Sequence, residues 1–542
     1  MSKRDYNVFF NTHTVSGIVI SIGLYVIFFA GAFALFMENI DHWETNEPKE
    51  TADAIIDYDG LIAEVASKGY DMHGRTFLIN GHGENININS RPLRDSTLVS
   101  SSLDILPDSV AKGPIKLELN ANNYAASKAN KEKKQKAELG NFLFDLHYFN
   151  QIPVVGIILS GLVSLFFLFA IISGIIIHWD KIFSNFFTFR LKGSVKNLWT
   201  DAHTALGVIG LPYQLMYALT GTVFGLTILL FFPYAQVLYG GSQQAMLAEV
   251  FPAPATQSYE LHGYSESSVA INPLVEQTVA QLSQESSKHI SVSIKNFHDK
   301  NAHLIVGIIN DQKSSFFNTV ESIYLLADGK LIREKKADDL PPYAVGMVEF
   351  LHKIHFGQYG GNFVKLIYFL LALLTCLVII SGVMVWLKAR NTKKYLAKQK
   401  FNTNVGAIYL GVCLGLYPAI ALLFILSKTF PVEMENRFII ISWLFLAFWV
   451  LYSVYSYRIK NYFLINRNAL ILSGTFGIAI PIFNGFHSGL WLWKSLSLGY
   501  PDTFFVDLIW LLSGAITLLV AVKLRSPQPE KVRKKVAVAA VN

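Results

Sequence analysis

Four histidines recur in register with four glycines. His13-Thr14-Val15-Ser16-Gly17 and His203-Thr204-Ala205-Leu206-Gly207 each open an apolar run, and the same shift of 190 residues carries Gly31 onto Gly221. A second pair of runs starts at His147 and His355 and ends Ile171-Ile172-Ser173-Gly174 and Ile379-Ile380-Ser381-Gly382, at a shift of 208. Repeats dictate architecture: each half supplies two membrane helices, each with one histidine at or just before its start. Eighteen residues are five helical turns, so His13 and Gly31 share a face about 27 Å apart, as do His203 and Gly221. In the other two runs the order is reversed, with His147 and His355 at the outer end and Gly174 and Gly382 near the inner end. Each leaflet is therefore offered two histidines and two glycines. Paired imidazoles suit the axial positions of a haem iron, and glycine, lacking a side chain, leaves room for a porphyrin. Four ligands across two leaflets imply two haems. The plainer reading, packing glycines and interfacial histidines, does not account for two shared repeat shifts.

The only cysteines, Cys376 and Cys413, fall in apolar runs, which excludes a disulfide framework, a CxxCH attachment and iron–sulfur spacing. Any haem is thus held non-covalently, as b-type. His352, three residues before His355, lies on the same helical face and is an alternative ligand. From His147 to His178 is about 46 Å if helical, too long for one crossing, so a bend is expected at Pro153, and at Gly357–Gly361 in the second half. His73, His82, His262, His289, His298 and His303 lack metal-site spacing and read as surface residues.

The elements that must position these residues follow from composition. The 542 residues are 52% hydrophobic with a mean hydropathy of +0.36, too apolar for an ordinary soluble enzyme. The net charge of +7 reads as the positive-inside bias of a membrane protein rather than a nucleic-acid patch. The pattern predicts a mainly α membrane protein of about eight transmembrane helices. Residues 1–37 hold the first, 149–232 the second and third, and 351–390 the fourth, together a four-helix haem-binding bundle built from two repeats. Residues 38–148 and 233–350 are polar α+β insertions, and 401–524 form a four-span appendage. Strand-like runs fall at 76–79, 115–119, 289–296, 303–309, 321–326 and 331–334, with a lysine-rich helical stretch near 127–138. The inner loops carry Lys181, Arg190, Lys192 and Lys196, then Lys388 to Lys400, then Arg458, Lys460 and Arg467. With the basic tail of 525–542, they place both termini in the cytoplasm.

The chain resembles the PepSY-associated transmembrane (PepSY-TM) family over roughly residues 1–390. The resemblance rests on the Leu146-His147 followed by a turn and a helix ending Ser-Gly-x4-Trp (Ser173 to Trp179; the second half ends one residue shorter, Ser381 to Trp386, so that His178 stands at the place of Trp386), on the HTxxG openings, and on the placing of the insertions. It implies a bacterial inner-membrane protein with two periplasmic PepSY-like domains, similar to ferric-siderophore reductases. Carried over by position, His13 and His203 would ligate an inner haem, and His147 and His355 an outer one. Electrons would pass from a cytoplasmic reductase or quinol to periplasmic ferric siderophore during iron uptake. No inner segment has room for a nucleotide-binding domain, so the donor is external. The Gln-Ile-Pro-Val-Val-Gly after helix-2 histidine lacks the Gly and Arg of many relatives, and the appendage lies outside the family pattern. The alternative is a haem-free membrane transporter, or a sensory or peptidase-regulating protein using its outer domains as binding modules. Aromatic residues at the re-entry points (Phe144, Tyr148, Tyr343, Phe356, Tyr359) could form an apolar floor beneath a bulky ligand.

Overall fold

The computed structural model describes residues 1–48, 56–82, 85–90, 113–120, 137–182, 184, 195–250, 259–265, 268–282, 287–310, 319–336, 339–390, 398–431 and 434–525. Residues 127–136 of the lysine-rich stretch, Arg190, Lys192, Lys393, Lys394 and the basic tail after Arg525 lie outside these.

Long apolar runs have no water to satisfy their backbone groups and must form helices. The first is α1 (Lys3–Ala34), opened by Ser2, whose Oγ accepts the Asp5 amide at 3.1 Å. A short α2 (Met37–Thr45) follows at once, then α3 (Tyr58–Ser67) in the first insertion. The chain re-enters through α4 (Leu139–His147) and crosses as α5 (Val155–His178); it returns through α6 (Val195–Ile209) and α7 (Leu211–Leu238). The second insertion carries α8 (Gln243–Val250) and α9 (Ile271–Leu282), after which α10 (Tyr343–Phe356) leads into α11 (Gly361–Arg390). The appendage comprises α12 (Gln399–Thr429), α13 (Arg437–Ile459), α14 (Tyr462–Ser488), the single turn α15 (Leu492–Ser495) and α16 (Pro501–Lys523).

Among the described residues seven helices are long and apolar enough to cross a membrane, and α7, bent by 47° between Leu211–Thr227 and Leu229–Leu238, makes an eighth. The third span, expected as one helix over about 203–232, is therefore divided. Pro212 has no N–H for the Val208 carbonyl, and α6 stops at Ile209. His203 and Gly221 consequently sit on two helices instead of one continuous face. The bends after the other two histidines are present: α4 ends at His147 and α5 starts beyond Pro153, while Gly357 and Gly361 both take positive φ between α10 and α11. In the appendage, Asn461 caps the Phe463 and Leu464 amides, so α14 starts at Tyr462 and Arg467 lies on the helix instead of in a loop.

The strands of both insertions form one antiparallel sheet. In the order β3-β2-β1-β4-β5-β6-β7, the first insertion gives β1 (Phe77–His82), β2 (Asn85–Ser90) and β3 (Ile115–Asn120); the second gives β4 (Ser287–Lys295), β5 (His303–Asn310), β6 (Thr319–Leu325) and β7 (Leu331–Lys335). The seam is β1 on β4, with Phe77 opposite Ile294 and Ile79 opposite Val292. Both insertions feed one hydrophobic core, in which Leu61 and Val65 of α3 meet Leu274 and Val275 of α9. Asp59 accepts the Ile271 and Asn272 amides at the start of α9 (2.8 and 2.9 Å), and Asn272 accepts the Tyr58 amide in return (2.7 Å). His73 and His303 are not surface residues. His73 is buried with Nε2 3.6 Å from the Asp299 carboxylate, and His303 is buried beneath Tyr259.

Candidate functional site: two facing histidine pairs

In the transmembrane bundle α1 packs on α5 and α11, α6 on α11, and α5 on α7. The α5–α7 crossing is close because Gly161 and Gly225 meet backbone to backbone: a Cβ on Gly225 would lie 2.4 Å from the Gly161 Cα. This arrangement brings the four repeat histidines together two by two. His13 and His203 have ring centres 6.0 Å apart at 67°. His147 and His355, on the side from which the insertions emerge, are 6.1 Å apart at 59°. The alternative His352 is exposed, whereas His355 is buried and faces His147.

Each ring is held through Nδ1. His13 Nδ1 lies 2.8 Å from the Ala170 carbonyl of α5, His203 Nδ1 2.9 Å from Val378 O of α11, and His147 Nδ1 2.8 Å from Ile27 O of α1. A carbonyl only accepts, so Nδ1 carries a proton and donates it. His355 Nδ1 is 2.7 Å from Thr220 Oγ1 of α7. That hydroxyl donates to Met216 O at 2.8 Å, so it accepts from His355. The Tyr217 hydroxyl donates to the His355 carbonyl at 2.6 Å. All four imidazoles are thus oriented through Nδ1, and in the neutral ring this tautomer leaves the Nε2 lone pair for a metal.

The glycines explain how the rings fit. The three carbonyls that hold His13, His203 and His147 belong to residues four before Gly174, Gly382 and Gly31. A Cβ on Gly31 would meet His147 Nδ1 at 2.5 Å, on Gly382 the His203 ring at 2.9 Å, and on Gly174 the His13 ring at 3.2 Å. These glycines form notches for the imidazoles themselves, whereas the sequence pattern assigned the space to porphyrin. Gly221 differs again: its Cβ would meet Ser164 Oγ of α5 at 2.7 Å, and the neighbouring Thr220 does the holding.

Two metal–nitrogen bonds of roughly 2 Å each, plus the offset of each nitrogen from its ring centre, separate coaxial imidazole centres by about 6 Å. Both pairs match that separation. Among the described residues no group of three or more His, Cys, Asp or Glu side chains could hold a metal ion. Two nitrogens alone do not complete a zinc site, whereas a pair of histidines would be enough for an iron already held by a macrocycle.

These features define a multi-pass membrane protein with a doubled bis-histidine site and a shared sheet formed by two insertions. The chain belongs to the family described as the PepSY-associated TM region, which matches residues 10–389. That match spans both histidine pairs and ends before α12. None of the curated proteins compared with the chain matches it.

Proposed function

We propose that the protein is a di-haem b-type electron-transfer protein of the bacterial inner membrane, with ferric siderophore as its acceptor. The observation that supports this best is the pairing of four oriented imidazoles with ring centres 6.0 and 6.1 Å apart, one pair toward each end of the bundle. His13 and His203 would hold the inner group, His147 and His355 the outer. When bound, the haems supply one-electron carriers whose redox chemistry is their own. The chain's residues fix the imidazole tautomers, exclude water with the surrounding apolar spans, and set the separation of the two sites.

The direction of transfer follows from the distribution of charge and bulk. The basic loops read as cytoplasmic and face an external reductase or quinol. The insertions are the larger surface and lie in the periplasm. Phe356 packs 5.3 Å from His355 and 6.1 Å from Phe144, which lies 5.1 Å from Tyr148, an apolar floor beside the outer pair for a bulky chelate. Tyr343 is 82% exposed. One electron gained by Fe(III) gives Fe(II), less charged and softer, which an oxygen-donor chelate holds less well.

The test is a pyridine haemochrome assay on haem-replete, well-folded protein. About two haems b per chain are expected; none would overturn the proposal. In oriented proteoliposomes, an impermeant ferric siderophore should oxidise the dithionite-reduced protein from the insertion side, and oxidation only from the lysine-rich side would reverse the path.

A further inference from the structure

The appendage lies outside the family match, yet its charged residues converge on α2, which leads to the outer histidine pair. Lys428, near the end of α12, donates to the Trp43 carbonyl, to Glu44 O at 3.2 Å and to Asn46 Oδ1 at 2.8 Å, with its ammonium 4.4 Å above the Trp43 ring. Arg437, at the start of α13, pairs with Glu44 Oε1 at 3.1 Å, both side chains buried, and its other nitrogens donate to the Ser427 and Phe430 carbonyls. Asp507 of α16 accepts Trp43 Nε1 at 2.8 Å and is held by Asn484 of α14 at 2.9 Å. Three appendage helices thus grip one nine-residue helix, and α14 steadies the carboxylate of the third.

The grip continues inward. Glu44 Oε2 accepts the Glu138 and Leu139 amides at 2.9 and 2.8 Å, and Asp41 Oδ1 accepts Gly140 N at 3.1 Å. These are the unpaired donors that open α4, and carboxylates there suit its N-terminal dipole. Gly140 admits the close approach, since a Cβ would lie 2.4 Å from Asp41 Oδ1. The far end of this nine-residue helix is His147.

We propose that Glu44, held by Arg437, is a positioning residue for His147, so that the appendage fixes the outer ligand through α2 and α4. Arg437 does not touch α4 or the histidine; it acts by holding the carboxylate that caps the helix. The inner pair is placed differently: His13 and His203 sit on α1 and α6 and are held by α5 and α11, and the appendage meets α1 and α11 by helix packing.

The test uses the full-length chain in nanodiscs with Arg437→Gln, and Arg437→Lys as the conservative rescue. The first readout does not need haem. Hydrogen–deuterium exchange across Leu139–His147 should quicken about tenfold in Arg437→Gln, return toward wild type in Arg437→Lys, and stay unchanged over Val195–Ile209. Unchanged exchange in α4, or an equal rise everywhere, would overturn the inference. The second readout rests on the two-haem reading: haem per chain should fall by about half, leaving the spectrum of His147→Ala. Full retention with an unaltered spectrum, or equal loss of both components, overturns it. A wild type without haem refutes the two-haem reading alone, and exchange then decides. If Arg437→Gln does not accumulate, Lys428→Gln is read in the same way.

Discussion

The two histidine pairs have the same separation but are built differently. His13 and His203 lie within helices of the bundle, and each is held by a main-chain carbonyl on the partner helix. His147 and His355 end short helices that stop before the spans begin. One is held by a main-chain carbonyl, the other by the side chains of Thr220 and Tyr217. A ligand held by backbone can be loosened only by moving a helix. A ligand held by a hydroxyl can be retuned by one substitution. On the proposed reading, the pair nearer the acceptor is the adjustable one.

The largest effects should come from the ligands. His13→Ala or His203→Ala should remove one haem and spare the other, and His147→Ala or His355→Ala should do the converse, each halving the pyridine haemochrome yield. If His352→Ala removed the second haem while His355→Ala kept it, the pairing described above would be wrong. Gly31→Leu comes next, since its side chain enters the space of the His147 ring. It should abolish the His147–His355 component in a potentiometric titration and leave the other. Loss of the His13–His203 component alone would break the comparison.

Thr220→Val is a finer probe. It keeps His355 but removes its Nδ1 partner, and loss of such a supporting contact typically weakens metal retention by roughly 10–100-fold. The matched change is not available at His13, because no substitution removes the Ala170 carbonyl. An equal shift of both haems in Thr220→Val would show that the pairs are not independently held.

The smallest effect concerns pH. The hydrogen bond that His42 of α2 donates to the Asp502 carboxylate raises its pKa above the ordinary value, against the opposing effect of burial. The stabilisation is therefore complete below about 6.5, the unfolded value, and is lost as pH rises through the raised folded value. Thermal unfolding of wild type should weaken across that window more than that of His42→Gln. Identical pH profiles would remove α2 docking from the list of proton-linked events.

Much of this was readable in the chain. The repeat shifts paired the four histidines because register survives where sequence drifts; Pro153 marked one bend because it lacks an N–H, and Gly357–Gly361 the other because glycine leaves the helix readily at positive φ. His352 and His355 could not be separated, since residues three apart share a helical face and only burial distinguishes them. The strand Asn85–Ser90 went unread although its strict Asn–Ile alternation is a period-two signal. Pro212 likewise marked the break after α6. The β1–β4 seam and the Glu44–Arg437 pair were out of reach: each joins residues more than 200 positions apart, and nothing in either local sequence names its partner. The notches under the histidines were half visible, as glycines without the ring that fills them.

The single sheet also sets the order in which the molecule can be made. β1 pairs with β2 on one side, but its other edge stays open until β4 is synthesised about 200 residues later. At about 5–20 residues per second that interval is roughly 10–40 s. During it α5, α6 and α7 enter the bilayer while an apolar strand offers unpaired N–H and C=O groups to any passing chain. Biogenesis therefore has a vulnerable window that the finished protein does not show. A chain truncated before β4 would leave β1 as a permanent template for aggregation, even with its first three spans correctly inserted.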